Sequence, residues 1–446
     1  MRIVENFATS LRELERYPSQ EDPNLPSHVL DRLAAIFGEA ISATEAVSRI
    51  IADIRLHGDQ AILDYTKRID GIELVDLDVP SDTWANASVN LNETLREALS
   101  FSSSRIFDFH QACLPKDWFD GNLGVGLKHV PIERVGVYIP GGTATYPSTV
   151  LMSAIPARVA GVKEIILCTP NPTDSVLTAA LNAKVDQVFQ IGGAQAIAAM
   201  AFGSESIPRV DKIVGPGNIF VSIAKRLVYG SVDIDGLYGP TETLIIADDS
   251  VNPQIIASDL LAQAEHDDLA TPILITFSRA TANLVNNHIE EQSANMRRES
   301  IIKNSLANQG AIHLVSDVSE AIKLSNVFAP EHLSLLIRDA EKYIPQIENA
   351  GGIFVGENSP EVLGDYVIGP SHVMPTGGTA RFASNLGINS FLKQIPIMNL
   401  SSSTMQQLAP AAVEIAGIEG LSAHSASAAI RIEGIESTSD EKGQSS

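Results

Sequence analysis

The chain has 446 residues, 44% hydrophobic and 19% charged, so it can bury a large core without staples and has length for about two to four domains. Two cysteines, Cys113 and Cys168, exclude a disulfide framework. The formal net charge of −23, from 54 acidic against 31 basic residues, excludes nonspecific nucleic-acid binding and adhesion to anionic membranes. An anionic cofactor stays open, because local backbone amides can hold phosphate.

The N-terminus, Met1-Arg-Ile-Val-Glu-Asn-Phe7, has no apolar signal-peptide core, and no apolar run reaches the roughly 18 residues of a transmembrane helix. A cytoplasmic location is the expectation. Residues 30–70 read as helices. Ser42-Ala-Thr-Glu45 forms a capping box ahead of Ala46, Ile50, Ile51 and Ile54 at helical spacing. Helical patterning resumes over Asn92–Ala112, after a loop at Asp76–Asp82.

From residue 134 strands and helices alternate. Strands are expected at Arg134–Ile139, Glu164–Cys168, Gln187–Ile191 and Lys212–Val214. Helices follow at Pro147–Ala160, Thr173–Lys184 and Ala194–Phe202, and a long one opens at Asn218. A second such unit runs through Leu244–Ala247, the Asn252-Pro253 helix start, Pro272–Thr276, Thr281–Glu290, Ala311–Val315, Ser319–Asn326 and Gly352–Val355. The expected fold class is α/β, with two Rossmann-like parallel-sheet domains and a small C-terminal accessory domain. That accessory part ends in a strand-like Ala429–Ile432 and a disordered polar tail, Ser437–Ser446.

Several constellations could carry chemistry. Gln263 and His266, three apart on one helical face, offer an amide oxygen and an imidazole to a cation such as zinc, or form an ordinary solvated helix end. Glu331 and His332, directly after Pro330, suit acid–base work near neutrality, though adjacency also serves structure. Asp365 and His372 flank a Gly-rich loop that either closes over a site or is a surface turn, and His424 lies in the C-terminal part. Turns at Gly141-Gly142, Gly192-Gly193 and Gly215-Pro-Gly217 follow strands, where parallel sheets open a ligand crevice. No G-x-G-x-x-G occurs at them, so by spacing the cofactor is anything phosphorylated, or nothing.

Together these segments resemble the histidinol dehydrogenase family, from about residue 30 to residue 433. The matching stretches are Val135–Ala144, Gly192–Ile197, Val214–Asn218, Asp259–His266, Ala329–Leu333, Gly364–Tyr366, His372–Thr376 and Ser422–His424. The resemblance implies oxidation of L-histidinol through an enzyme-held aldehyde to L-histidine with two NAD and one water. It implies one zinc ion per subunit held by Gln263, His266, Asp365 and His424. His332 would take the alcohol proton and Glu331 would activate water. Thr241 stands where the family usually has Ser. Thr241, His372 and Glu419, with the zinc residues and His332, would contact substrate, and Tyr138, Gln195 and Asn218 would contact NAD.

It further implies an intertwined homodimer with shared active sites, in which Glu419 and His424 complete the neighbour's site. On this reading residues 1–134 form an N-terminal helical arm and part of the first domain, and 135–239 the Rossmann-like domain on the NAD side. Residues 240–378 form the metal and catalytic side, and 379–446 the dimerisation domain. Partners are then the small-molecule substrate and a second copy, with no nucleic acid and no membrane. Two departures from the family pattern stand out: Asp235-Gly-Leu-Tyr-Gly239 replaces a Met-Pro-Ala run, and Gly126 stands where many members carry a basic or polar residue. The alternative is a related dehydrogenase acting on another small alcohol such as sulfopropanediol, though Glu419 would repel an anionic substrate. A non-catalytic metal-binding relative would be expected to lack Glu331 or His332.

Overall fold

The computed structural model describes residues 1–17, 25–141, 145–294 and 296–440, with side chains through residue 432. Gly142, Thr143 and Ala144 of the first Gly-rich turn lie outside the described residues, as do 441–446 of the polar tail. The chain divides into two compact units, Met1–Cys113 with Ile132–Phe391, and Leu114–Pro131 with Leu392–Ser446.

The first unit contains two fully parallel sheets. Five strands make one, in the order Gln187–Phe189, Glu164–Cys168, Arg134–Tyr138, Lys212–Val214, Asp233–Ile234. The chain winds outward on one side of Arg134–Tyr138 and then crosses to the other. The crevice of this switch point opens at the carboxyl ends of that strand and of Lys212–Val214. Six strands make the other sheet, in the order Arg2–Glu5, Ala311–Leu314, Thr271–Thr276, Glu242–Ala247, His332–Leu336, Gly352–Val355.

Glu242–Ala247 shows why the second sheet lies inside the fold. All of its residues are buried, as expected of a strand covered on both faces. Ile245 and Ala247 pack with Ile256, Leu260 and Leu261 of the helix Pro253–Ala264. Leu244 and Ile246 point the other way, against Leu324 and Phe328 of the helix Val318–Phe328.

The helix starts follow their capping signals. Ser42 accepts from the Glu45 amide, Asn92 from Leu95 and Asn252 from Gln254. A helix at Ser81–Asn90 occupies the chain after the expected Asp76–Asp82 loop.

In the second unit, Leu392–Met398 pairs antiparallel with Val125–Pro131, and Trp118–Asp120 pairs with the latter's start. The helices Ser402–Ile418 and Ser422–Asp440 pack on each other. This corrects two expectations. Ala429–Ile432 is helical, because the Ala- and Ser-rich stretch around it favours a continuous helix over an isolated strand without a partner. The same helix runs to Asp440, into the stretch expected to be disordered.

Gly126 has a local explanation. It pairs with Phe119, and a Cβ there would lie 2.4 Å from the Trp118 carbonyl oxygen. A larger side chain would push the two strands apart.

Candidate active site

Glu242, Thr243 and His332 lie at the amino ends of neighbouring central strands, and Thr241 and Glu331 immediately precede them. The Glu331 carboxylate is buried and accepts from the Thr241 hydroxyl at 2.7 Å and the Glu242 amide at 3.0 Å. Burial pushes its pKa up to about 7, against the lowering effects of His332 and these two donors. A carboxyl balanced near neutrality can both take and return a proton.

His332 is also buried. Its Nδ1 lies 3.1 Å from the Glu242 carbonyl oxygen, 3.4 Å from Glu361 Oε1 and 3.7 Å from Glu331 Oε2. The carbonyl can only accept, so Nδ1 carries a proton, and Nε2 is the ring atom left to exchange one. That Nε2 is buried and has no hydrogen-bond partner.

Both catalytic candidates therefore depend on the backbone of Glu242. The Glu242 side chain is tied bidentately by Arg16, with Nη2 2.6 Å from Oε2, and Oε1 accepts from the Gly377 amide at 3.0 Å. The Arg16 guanidinium also stacks 3.5 Å from the Phe328 ring centre.

The metal-ligand candidates come from helix ends. Gln263 is fully buried in the last turn of Pro253–Ala264, and His266 lies just beyond that helix on an exposed turn. His266 is therefore not on the face of a continuing helix, although its amide still reaches the Gln263 carbonyl at 3.3 Å. Gly364-Asp-Tyr366, expected in a loop, ends the short helix Glu361–Tyr366, which Pro360 starts.

Although His266 is exposed by area, surrounding protein desolvates it and lowers its pKa, opposed by the Asp365 charge. His372 is lowered by burial and likewise opposed by Asp365. Its Nδ1 donates to the Asp365 carbonyl at 2.8 Å, and its Nε2 lies 3.2 Å from the Thr149 hydroxyl. His266, His332, Asp365 and His372 thus share one electrostatic neighbourhood. Among the described residues no group of three His, Cys, Asp or Glu side chains is placed to hold one metal ion. The donor chemistry nevertheless fits a borderline cation: an amide, an imidazole and a half-buried carboxylate, with the buried Gln263 Nε2 stranded without a partner. Glu419 and His424 are exposed residues of the second unit.

Sequence reasoning missed Glu361 and Thr243. Glu361 is a buried carboxyl held well above the usual range by burial and then by the Asp365 charge. Thr243 lies 3.0 Å from Gln263 Oε1 and within hydrogen-bond reach of Glu361 Oε2. No spacing signal links residues some hundred positions apart, and the strand was read from Leu244 onward.

At the first sheet's crevice, the buried Tyr138 hydroxyl accepts from the Gly193 amide at 3.1 Å. Gln195 donates to Asp70 at 3.0 Å and keeps a buried Oε1 without a partner. Asn218 caps the helix Ile219–Val228 through Oδ1, leaving its Nδ2 as the group that can face a cofactor. Gly215 has φ +111°, and a Cβ there would lie 2.1 Å from the Tyr138 carbonyl oxygen, so only glycine fits that turn.

The unusual Asp235–Gly239 run props this turn. Asp235 accepts from the Gly215 amide and from Lys225 Nζ, each at 2.6 Å, and Lys225 also donates to the Gly215 carbonyl at 2.6 Å. The Tyr238 ring lies 5.3 Å from Lys225 Nζ, and the Tyr238 carbonyl accepts from Ser222.

The sequence model of the family described as histidinol dehydrogenase matches residues 38–432. A histidinol dehydrogenase of Dehalococcoides mccartyi (strain CBDB1) is 46% identical over 439 residues, covering 97% of this chain and 100% of that protein. One from Aquifex aeolicus is 46% identical over 391 residues, covering 87% and 92%. The crystal structure of histidinol dehydrogenase from Elizabethkingia anophelis superposes with a TM-score of 0.90 at 34% identity, covering 98% of this chain and 99% of that one. Among the described residues no helix is long and apolar enough to cross a membrane, and by these likenesses this chain belongs to the histidinol dehydrogenase family of oxidoreductases.

Proposed function

We propose that this protein oxidises L-histidinol to L-histidine in two successive NAD-dependent steps, with His332 and Glu331 as the proton-transfer residues. The observation that carries this reading is the buried His332 ring. Its Nδ1 donates to the Glu242 carbonyl and its buried Nε2 has no hydrogen-bond partner, beside a carboxyl balanced near pH 7.

Gln263, His266 and Asp365 would hold a zinc ion together with His424 of a second copy, and Tyr138, Gln195 and Asn218 would contact NAD. When bound, zinc orients the substrate's amine and imidazole nitrogens, and NAD accepts a hydride in each step. His332 Nε2 takes the proton of the alcohol as the first hydride leaves the adjacent carbon. Glu331 then takes a proton from the water that adds to the aldehyde carbon, and loss of the second hydride yields the acid. Thr241 and the Glu242 amide keep the Glu331 carboxylate aimed and partly stabilise its charge. His372 can offer Nε2 to substrate by exchanging its Thr149 contact.

The homodimer is supported by the second unit's surface. Ile418 is 88% and Met398 70% exposed, with Trp118, Leu408 and Ile415 also open, and such apolar area is expected to be covered.

The test is steady-state NADH formation by the zinc-supplemented protein. Two NADH per L-histidinol with histidine as product supports the reading. Turnover of dihydroxypropanesulfonate in preference to L-histidinol overturns it.

A further inference from the structure

With Glu361 ionised, the hydrogen bonds around Thr243 do not close while the Gln263 carboxamide oxygen faces its hydroxyl. Its hydroxyl, fully buried, reaches both Gln263 Oε1 and Glu361 Oε2, yet it has one proton to give. Meanwhile Gln263 Nε2, with two N–H groups and no exposed area, has no acceptor. Amide oxygen and nitrogen are interchangeable in shape, so the network has to decide which end is which.

Turning the Gln263 amide over resolves both faults. Nε2 then donates to the Thr243 oxygen, the Thr243 proton goes to Glu361, and Oε1 moves to the end that had no partner. Only that oxygen can serve a cation, because an amide nitrogen has no available lone pair. A protonated Glu361 donating to Thr243 would balance the count in the first orientation, but it would leave the Gln263 N–H groups stranded and facing the ion.

We infer that Thr243 and Glu361 are positioning residues: the Gln263-to-Thr243-to-Glu361 chain fixes the amide so that Gln263 presents oxygen to the metal. This rests on the reading of Gln263 as a metal ligand. On this reading both act through an amide whose two ends differ completely as ligands. Glu361 Oε1 also lies 3.4 Å from His332 Nδ1, so the same carboxyl borders the proposed base.

The experiment measures zinc affinity of the full-length, metal-stripped protein by competition with a chromophoric chelator, alongside melting of the zinc-free form. Thr243→Val keeps the shape and removes the relay, and should weaken zinc binding about 10- to 100-fold, the usual cost of losing a residue that orients a ligand. Thr243→Ser restores the hydroxyl and should stay within about threefold of wild type. Glu361→Met leaves Thr243 its proton to donate to Gln263 Oε1, turning the amide the wrong way, and should resemble Thr243→Val even if that variant folds poorly. Gln263→Ala separates the two readings. If it weakens zinc binding while Thr243→Val and Glu361→Met do not, the orientation inference is overturned alone. If Gln263→Ala leaves zinc affinity unchanged, the ligand assignment and the inference fall together.

Discussion

Replacing Thr241 by valine should shift the pH dependence of catalysis while nearly preserving side-chain volume. Among the described residues the Glu331 carboxylate receives two hydrogen bonds, from the Thr241 hydroxyl at 2.7 Å and the Glu242 amide at 3.0 Å, in a site where burial has raised its pKa to about 7. A hydrogen bond to a charged group contributes about 1.5–3 kcal/mol, and one pKa unit corresponds to about 1.4 kcal/mol, so losing the hydroxyl should raise Glu331 by roughly one to two units. The base is the ionised form, so activity rises with pH through this pKa. At pH 7 its ionised share would drop from about half to about a tenth or less. The assay is the pH profile of kcat/KM for NADH formation from pH 6 to 10, with Thr241→Ser as the variant that retains the bond. A rising limb that stays in place in Thr241→Val would show that Glu331 is not the titrating group.

Other outcomes follow from the same geometry. His332→Gln should lower kcat by about 10²- to 10⁴-fold while leaving bound zinc, measured by elemental analysis, at the wild-type level; normal NADH production would refute the role of Nε2. Glu331→Gln should abolish the second oxidation yet stabilise the fold at pH 8. The folded pKa of about 7 exceeds the ordinary 4.5, so this group's contribution is intact at low pH and is lost as pH rises through that window. The gain should be on the order of 3 kcal/mol in denaturant unfolding at pH 8 and vanish below about pH 4.5. Lys225→Met should destabilise the protein by about 3–5 kcal/mol, because Asp235 would be left buried beside the Gly215 turn without its cation. A melting temperature unchanged from wild type would contradict that account.

The strand–helix alternation was legible because each buried strand is short, apolar and bounded by a cap or glycine. Glu164–Cys168 and the Asn252-capped helix sit where their patterns place them. Glu331 and His332 stand out in the sequence as neighbours, but the proton inventory around them does not. That inventory depends on the Glu242 carbonyl, ninety residues away in sequence and beside His332 only after the strands pair. The C-terminal helix was misread because a short Ile-Arg-Ile alternation resembles a strand when the surrounding alanines are discounted. Glu361 was invisible for a different reason. A lone acidic residue after a proline looks solvent-exposed, and only the pairing of its carboxyl with Thr243 and His332 shows it to be buried.

The two crevices have opposite electrical polarity. Flanking helices run antiparallel to the strands they cover, so the amino edge that carries Glu331 and His332 receives a helix carboxyl end, as where Pro253–Ala264 stops just past Gln263. Such an end behaves as roughly half a negative charge and favours a cation by about 0.3–1 kcal/mol. The carboxyl edge of the other sheet receives the opposite, amino end of the helix Ile219–Val228, where Asn218 caps the Phe220 and Val221 amides and the dipole still presents its positive end. On the proposed function, this polarity favours a metal ion at one edge and an anionic dinucleotide at the other in a chain whose overall charge is −23.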